Sequence, residues 1–271
     1  MQVIDLTKIE KEKIENHTSK GNQPKWHIKD KWYKADHMGY EALAEYVVSE
    51  LLKKSNIGDF VEYHMIKIKY DSKEGVGCVS KDFKEDFEML IPIEKLHRQY
   101  FGKGLADAIA EKYSIQDKIS YTVNFIEKIT GLKDVGKYFA VILTIDAFFL
   151  NEDRHTNNIA VIRDEKTKKY RFAPIFDNGL SLLADTNEYL WDEDIYDNIK
   201  KVQAKPFARS FDEQLDTVEE LYGYHLKFNF TRHNVYEVLD KLKDIYDEKT
   251  VKRVEKILLE QMRKYQYLFT E

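Results

Sequence analysis

Residues 148–181, FFLNEDRHTNNIAVIRDEKTKKYRFAPIFDNGLS, decide how the chain is interpreted. Within this stretch IAVIR and YRFAPIF are rich in β-branched and aromatic residues, and the polar run DEKTKK separates them. The pattern predicts an antiparallel hairpin over residues 159–176. Asn158 precedes its first strand and Asp177 follows its second. Because these two ends of a hairpin lie side by side, we expect Asn158 and Asp177 to converge.

The polar residues around this hairpin have a spacing that suits phosphoryl transfer. Asp153 and Asn158 are separated by four residues, which lets one loop present a base to an acceptor hydroxyl and an amide oxygen to a metal. Asn158 and Asp177 would then offer two oxygen ligands to magnesium, and bound phosphates would supply others. Gly179 is expected to let the following turn bend away from the metal.

The rest of the sequence divides into a strand-rich and a helix-rich part. KWHIKDKWYKA over 25–35 predicts a hairpin, YEALAEYVVSELLKKS over 40–55 an amphipathic helix, and 60–69 with 75–81 two further strands. After Pro92 the periodicity becomes helical and, apart from the hairpin, no further strand pair is predicted. The candidate helices lie near 92–100, 104–113, 115–130, 134–150, 212–222, 232–246 and 249–268.

Composition favours a globular protein and argues against a polyanionic partner. Hydrophobic residues make up 43 % of the chain, and 43 basic against 48 acidic residues give a net charge of −5 without a long basic block. We therefore expect no nucleic-acid partner and no membrane surface. The longest apolar run, 138–150, contains Asp146 and is too short to span a bilayer. A single cysteine, Cys78, indicates a reducing compartment, so a cytoplasmic location is expected.

The strings LNEDRHTNN and FAPIFDNGLS resemble the catalytic and metal-binding motifs of the HipA-like serine/threonine kinases, and most closely those of the short cell-translocating kinase A type. The order D-R-H also resembles the phosphoinositide kinases, whereas ordinary protein kinases have H-R-D. The resemblance is specific over 138–182 and looser over about 18–100. It carries little residue-level information beyond Asp185.

This resemblance implies a two-lobed, protein kinase-like α+β fold. An N-lobe of residues 1–83 would hold a small antiparallel sheet with one helix, and a largely helical C-lobe would cover 84–271. The connection over 79–90 would contact adenine. The implied activity is transfer of the γ-phosphoryl group of ATP, with Mg²⁺, to a serine or threonine of a protein substrate.

The resemblance also assigns roles around the hairpin. Asp153 would orient the acceptor hydroxyl or accept its proton, and His155 would brace the loop. Asn158 and Asp177 would bind magnesium, and the neighbouring amide Asn157 is the alternative ligand.

Three further residues are assigned to ATP by the same resemblance. Lys34 would hold the phosphates, and Glu45 would fix the Lys34 ammonium, with Glu41 one turn earlier as the alternative partner. The phosphate-covering loop would be TSKGNQPK, in which Gly21 is the single glycine. The backbone amides of Ser19 and Lys20 would then contribute contacts to phosphate.

Other functions remain open at this point. A lipid or small-molecule kinase would share the D-R-H loop, and a non-catalytic pseudokinase module would account for the glycine-poor loop. A metallohydrolase is disfavoured because no second histidine cluster accompanies the D-x-H pattern. An antitoxin-like regulator and secretion into a host cell are alternatives that the sequence leaves open for this kind of kinase.

Overall fold

A computed structural model describes residues 3–9 and 23–270. Gly21, Ser19 and Lys20, assigned above to a phosphate-covering loop, lie outside these residues. Contacts divide the chain into two compact units. The first unit contains the described residues up to Asp82, the segment Asp177–Val202 and the described residues from Lys227 onward. The second unit contains Phe83–Phe176 and Gln203–Leu226.

The first unit is built on a five-stranded sheet with the order β1-β4-β5-β3-β2. β1 runs parallel to β4, and the other neighbouring pairs are antiparallel. The hairpin predicted over 25–35 is confirmed, and its turn residue Lys29 has a φ of 57°. The short strand β1 was not predicted, because three residues carry almost no periodicity. The strands are β1 (Val3–Asp5), β2 (Lys25–Ile28), β3 (Lys31–Ala35), β4 (His64–Tyr70) and β5 (Lys73–Lys81).

The helix predicted over 40–55 is confirmed as α1 (Glu41–Leu52), which packs against β3, β4 and β5. It is buried almost all the way round, including Glu41 and Glu45, so the prediction of a one-sided apolar stripe was wrong. The reason is that a helix near the C-terminus, α8 (Arg232–Asp240), also packs on α1 within the same unit. Two side chains that could ionise are therefore held in a helix with little access to water.

Two further helices complete the first unit. α6 (Ile195–Lys201) was not predicted, and it packs on the long helix α9 (Glu248–Lys264). The side chain of Asp194 begins α6 by accepting the backbone N–H groups of Tyr196 and Asp197. The chain then ends in a short 3₁₀ turn at Gln266–Leu268.

The second unit combines a three-stranded sheet with helices. The antiparallel hairpin predicted after Asn158 is confirmed, but a third strand, taken above for part of a connection, pairs with it. The hairpin is also shorter than predicted, because Pro174 has no N–H to donate to the ladder. The strands, in sheet order, are β6 (Glu88–Pro92), β7 (Ala160–Asp164) and β8 (Tyr170–Phe172).

Helix α5 lies at the centre of the second unit and is buried along nearly its whole length. It packs against α4 and α7, and it includes most of the apolar run 138–150. Among the described residues, no helix combines the length and apolar character needed to cross a membrane. The helices are α2 (Ile93–Phe101), α3 (Leu105–Ala110), α4 (Ile115–Thr130), α5 (Val135–Phe149) and α7 (Phe211–Tyr222).

The α+β class expected from the sequence is confirmed: an antiparallel-rich sheet lies toward the N-terminus, and the C-terminal part is mainly helical. The chain passes from the first unit to the second between Asp82 and Phe83. The first unit also contains Asp177–Val202 and the C-terminal helices. The assignment of 1–83 and 84–271 to two functional lobes stays a prediction.

Gly77 on β5 tests how tightly the sheet is packed beside Lys34. A Cβ atom at Gly77 would overlap the carbonyl oxygen of Lys34 and the side chain of Ile68, whereas one at Gly75 would have no heavy atom within 4 Å. Gly77→Ala should therefore lower the free energy of unfolding by about 1–3 kcal/mol. Gly75→Ala, on the same face of the same strand, should change it by less than about 0.5 kcal/mol. Equal effects in chemical denaturation would contradict this packing.

Candidate active site

Lys34 lies near the end of β3, and its side chain is buried. Its Nζ donates to Oε1 of Glu45 at 2.5 Å and to Oδ1 of Asp177 at 2.7 Å. Burial alone would lower the pKa of Lys34, but the charges of Asp177 and Glu45 outweigh it and hold the pKa well above its usual value. The lysine is therefore a fixed cation between two carboxylates, all three in the first unit.

Glu45 lies in α1 and is completely buried. Its second oxygen, Oε2, accepts the backbone N–H of Asn178 at 2.8 Å. Burial raises the pKa of Glu45, and the positive charge of Lys34 opposes that rise. Glu45 therefore joins β3 to the segment that begins at Asp177, by one bond to a side chain and one to the backbone.

The structure distinguishes the two glutamates that the sequence left open as partners of Lys34. Glu41 lies one turn earlier in α1, and its carboxylate accepts the N–H of Met38 at 2.8 Å and that of Gly39 at 3.0 Å. It thereby closes the loop before the helix. Glu45 is the one that contacts Lys34.

Asp177 occupies the left-handed region with a φ of 60°. Residues other than glycine seldom adopt this conformation, and such strain is concentrated at functional positions. The structure does not support the role given above to Gly179: its φ is not positive, and a Cβ there would make only ordinary contacts, the nearest at 3.4 Å from Glu41. The sharp change of direction lies at Asp177 itself, and about a third of its side chain stays exposed.

In the second unit, the loop after α5 is held by a buried ion pair. The Nε atom of Arg154 donates to the two carboxylate oxygens of Asp146 at 3.1 Å and 3.0 Å. Burial raises the pKa of Asp146 to about 6, although the charge of Arg154 opposes the rise. Asp146 is the polar residue that interrupts the apolar run, and Arg154 is the middle residue of D-R-H.

The same arginine also binds backbone. Its Nη1 donates to the carbonyl of Asn158 at 3.1 Å and to that of Phe176 at 2.7 Å. One guanidinium therefore ties α5, the loop over 153–158 and the end of the segment after β8. No role for Arg154 was predicted from the sequence, although a lone aspartate in an apolar helix followed by an arginine at i+8 was the available signal.

Asp153 is nearly buried in this loop. Its N–H is bound by the side chain of Asn151 at 3.1 Å, and its Oδ1 accepts Nζ of Lys205 at 3.1 Å. Lys205 also belongs to the second unit and was not predicted as a site residue. It comes from an irregular segment 52 residues later in the chain, which carries no motif that could have pointed to it.

His155 lies beside Asp153, with Nε2 at 3.6 Å from the Asp153 Oδ2 atom. Its Nδ1 accepts the N–H of Asn157 at 3.3 Å, so the proton of the neutral ring is assigned to Nε2. Nε2 is buried and makes no hydrogen bond among the described residues. This arrangement agrees with a bracing role in the loop, which stays a prediction.

The two neighbouring amides have different surroundings. Nδ2 of Asn158 donates to the carbonyl of Asp153 at 2.9 Å, which fixes the orientation of the amide. The oxygen of Asn157 is buried and has no hydrogen-bond partner within the part of the chain that the structure describes. Both amides therefore remain candidates for binding a cation, and the choice of Asn158 stays a prediction.

The residues present fit magnesium by their chemistry. Magnesium takes oxygen ligands, and one or two from the protein suffice because phosphates and water provide the rest. Asp177 in the first unit offers a carboxylate, and Asn158 or Asn157 in the second unit offers an amide oxygen. That they bind one ion together stays a prediction. No cluster of three or more His, Cys, Asp or Glu side chains suited to a metal occurs in the described ranges.

Asp36, two residues after Lys34, is a further unusual carboxyl group. Its Oδ1 accepts the N–H of Ala42 at 2.7 Å, and its Oδ2 accepts the hydroxyl of Tyr246 at 2.6 Å. Loss of hydration, together with the nearby carboxylate of Glu41, raises the pKa of Asp36 to about 8 against these two hydrogen bonds. The group is therefore mainly protonated at neutral pH.

This raised pKa predicts a pH-dependent stability. Because the pKa of Asp36 is higher in the folded state than its ordinary 3.8, stability should fall as the pH rises from about 4 to 8. Asp36→Asn imitates the neutral acid, so it should be more stable than the parent above pH 8 by roughly 5 kcal/mol and lose this advantage toward pH 4. Urea denaturation at several pH values measures this, with the exposed Asp197→Asn as control. A constant difference at every pH would refute the assignment.

Comparison with known proteins supports the fold assignment. No protein-family profile matches the chain, and no curated protein matches it. Among solved structures, the Helicobacter pylori proinflammatory kinase CtkA has a TM-score of 0.63 at 17 % identity, covering 97 % of this chain and 94 % of its own. HipA of Shewanella oneidensis MR-1, solved with HipB and operator DNA, has a TM-score of 0.51 at 10 % identity, covering 93 % of this chain and 66 % of its own. The resemblance to HipA-like kinases inferred from two short motifs is thus confirmed at the level of the fold, over nearly the whole chain.

Proposed function

We propose that this protein is a kinase that transfers the γ-phosphoryl group of ATP, with Mg²⁺, to a serine or threonine of a protein substrate. The observation that carries the proposal is the Lys34 ammonium, buried between Glu45 and Asp177. A cation fixed by a buried carboxylate serves phosphoryl transfer because it needs no reorganisation when charge develops on the phosphates. The likeness to two kinases of known structure supports the same conclusion.

Each residue has one task in this proposal. Lys34 binds phosphate oxygens, and Glu45 fixes its amino group. Asp177 and Asn158 hold magnesium, which would supply positive charge to the phosphates when bound. Asp153 accepts or orients the proton of the acceptor hydroxyl, and His155 and Arg154 keep its loop in place.

The proposed acceptor, partner and location rest on analogy with the comparison proteins. HipA in the Shewanella structure is part of a toxin–antitoxin system and is accompanied by HipB. We therefore include an antitoxin-like regulator among the proposed partners. The use of ATP requires a compartment that contains it, which places the reaction in the cytoplasm or, after secretion, inside a host cell.

The direct test is phosphate transfer from labelled ATP to proteins of a lysate, followed by identification of the modified residues by mass spectrometry. The parent protein should label serine or threonine only when magnesium is present. Asp177→Ala and Lys34→Ala should each reduce turnover by about 100-fold or more, because each removes charge that stabilises the transferred group. Lys31→Ala, on the exposed part of the same strand, should stay near the parent level. Normal turnover in Asp177→Ala, or equal effects of the two lysine variants, would refute the proposal.

The choice between the two amides has its own test. If Asn158 is the ligand, Asn158→Ala should raise the magnesium concentration needed for half-maximal turnover by about tenfold, whereas Asn157→Ala should alter it little. The measurement is a magnesium titration of initial rates at saturating ATP. A shift found only in Asn157→Ala would move the metal ligand by one residue and overturn the assigned register of the loop.

Lys205 should act through Asp153, because its amino group binds the carboxylate proposed to meet the acceptor. Lys205→Met should lower kcat by about 10-fold or more and change the KM for ATP by less than twofold. Lys205→Arg should restore part of kcat, since it keeps a cation at that position. The matched control is Lys200→Met, whose exposed side chain pairs with Asp197. An equal loss in the Met and Arg variants would point to a structural role only.

A further inference from the structure

A cavity of about 530 Å³ lies in the first unit, apart from the residues assigned to phosphoryl transfer. One side is formed by Trp191 and Ile195, and the other by helix α9. The helix contributes Lys249, Lys252, Arg253 and Lys256. Their spacing of three, four and seven residues places all four cations on one helical face. The lining also includes the acidic Glu193, Asp194 and Glu248, so the pocket is partly apolar and carries four cations beside three carboxylates.

Two of the cations lie over the indole ring of Trp191. Nζ of Lys249 is 4.6 Å and the guanidinium carbon of Arg253 is 4.8 Å from the ring centroid. Cation–π attraction stabilises each of these positions. The ring therefore holds two positive charges at the same pocket.

Arg253 is the most informative of the four cations, because only 8 % of its surface is exposed to solvent. Its Nη2 donates to the carbonyl of Tyr189 at 2.9 Å. Its Nε is buried without a hydrogen-bond partner, and no carboxylate lies within ion-pair distance of it in the described residues. A buried charge is costly unless an opposite charge or full hydrogen bonding compensates it. The guanidinium therefore lacks an anion.

The acidic groups at the pocket do not provide that anion. Glu248 pairs with Lys252 at 2.5 Å. Asp194 accepts the first N–H groups of α6, and Glu193 lies 3.9 Å from Lys201. Lys249, Lys256 and Arg253 consequently form no ion pair with a carboxylate in the described part of the chain, although Lys249 interacts with the charge of Asp247.

We propose that this pocket binds a phosphate monoester. Three unpaired cations suit a dianion better than a single carboxylate, and the phosphate oxygens accept several donors at once. The volume lies within the range of small-molecule sites and exceeds what an isolated phosphate ion requires. The esterified group is placed against Trp191 and Ile195. Free small phosphate esters and phosphorylated side chains of proteins share this chemistry.

The test uses O-phosphoserine, which contains no nucleobase, and follows the indole N–H signals of ¹⁵N-labelled protein. Trp191→Phe assigns the relevant signal among the three tryptophans. O-phosphoserine should shift the Trp191 signal with a dissociation constant of about 1 mM or below. Serine should produce no shift, and inorganic phosphate should bind more weakly. A phosphoserine peptide that binds more tightly than the amino acid identifies a phosphoprotein as the source, and equal affinity identifies a free ester.

The matched variants are designed to remain folded. Lys249→Gln/Lys256→Gln removes two exposed charges at the pocket, and Lys243→Gln/Arg263→Gln removes two exposed charges elsewhere. The first pair should weaken O-phosphoserine binding by about tenfold, and the second by less than twofold. Arg253→Gln should weaken binding at least as strongly as the first pair. No shift at Trp191, equal weakening by both pairs, or inorganic phosphate binding as tightly as the ester would overturn the proposal. These readouts do not involve ATP turnover, so they are independent of the proposed kinase activity.

Discussion

The buried contact between Arg154 and Asp146 is the constraint on which the proposed catalytic loop depends. Both side chains are almost inaccessible to water, so their pairing has to offset a large loss of hydration. The arginine also donates through Nη1 to the carbonyl groups of Asn158 and Phe176. Removing either partner would leave an isolated charge in an apolar helix environment, at a cost of about 3–5 kcal/mol. The loop conformation is therefore tied to the folding of the second unit.

The first unit also contains a buried cation whose charge is compensated, the lysine Lys34. Lys34 is placed by β3, Glu45 by α1, and Asp177 by a residue conformation that few side chains adopt. Because Glu45 also accepts the N–H of Asn178, the sheet, the helix and the segment after Asp177 are bound at one point. The charge of Lys34 is compensated twice, which keeps it protonated despite burial. A fixed cation of this kind can bind phosphate without first losing a hydration shell.

The sequence could predict those features that have a local pattern. The hairpins, α1 and α5 follow from periodicity, whereas the roles given to Asp153, Asn158 and Asp177 from their place beside a hairpin stay predictions. The strand β6 was not predicted, because its segment, EMLIP, is short and is followed directly by a helix. Lys205 and Arg253 were not predicted as functional residues for a different reason. Their partners lie far away in the chain or belong to the backbone, and no sequence spacing encodes such contacts. The prediction that α1 is amphipathic was wrong, because α8, from the C-terminal part of the chain, packs on it in addition to the sheet.

Three buried or nearly buried cations can be compared within this one chain. Lys34 has two carboxylates and Arg154 has one carboxylate with two carbonyl groups. Arg253 has only uncharged partners, namely carbonyl oxygens, the Tyr40 hydroxyl and the Trp191 ring, and its Nε remains unpartnered in the described residues. A guanidinium without an anion is expected to persist only when its position has a use, since replacing it by an apolar side chain would remove the desolvation cost. The contrast with the two compensated cations is the physical reason for assigning Arg253 to ligand binding and not to the internal framework of the fold.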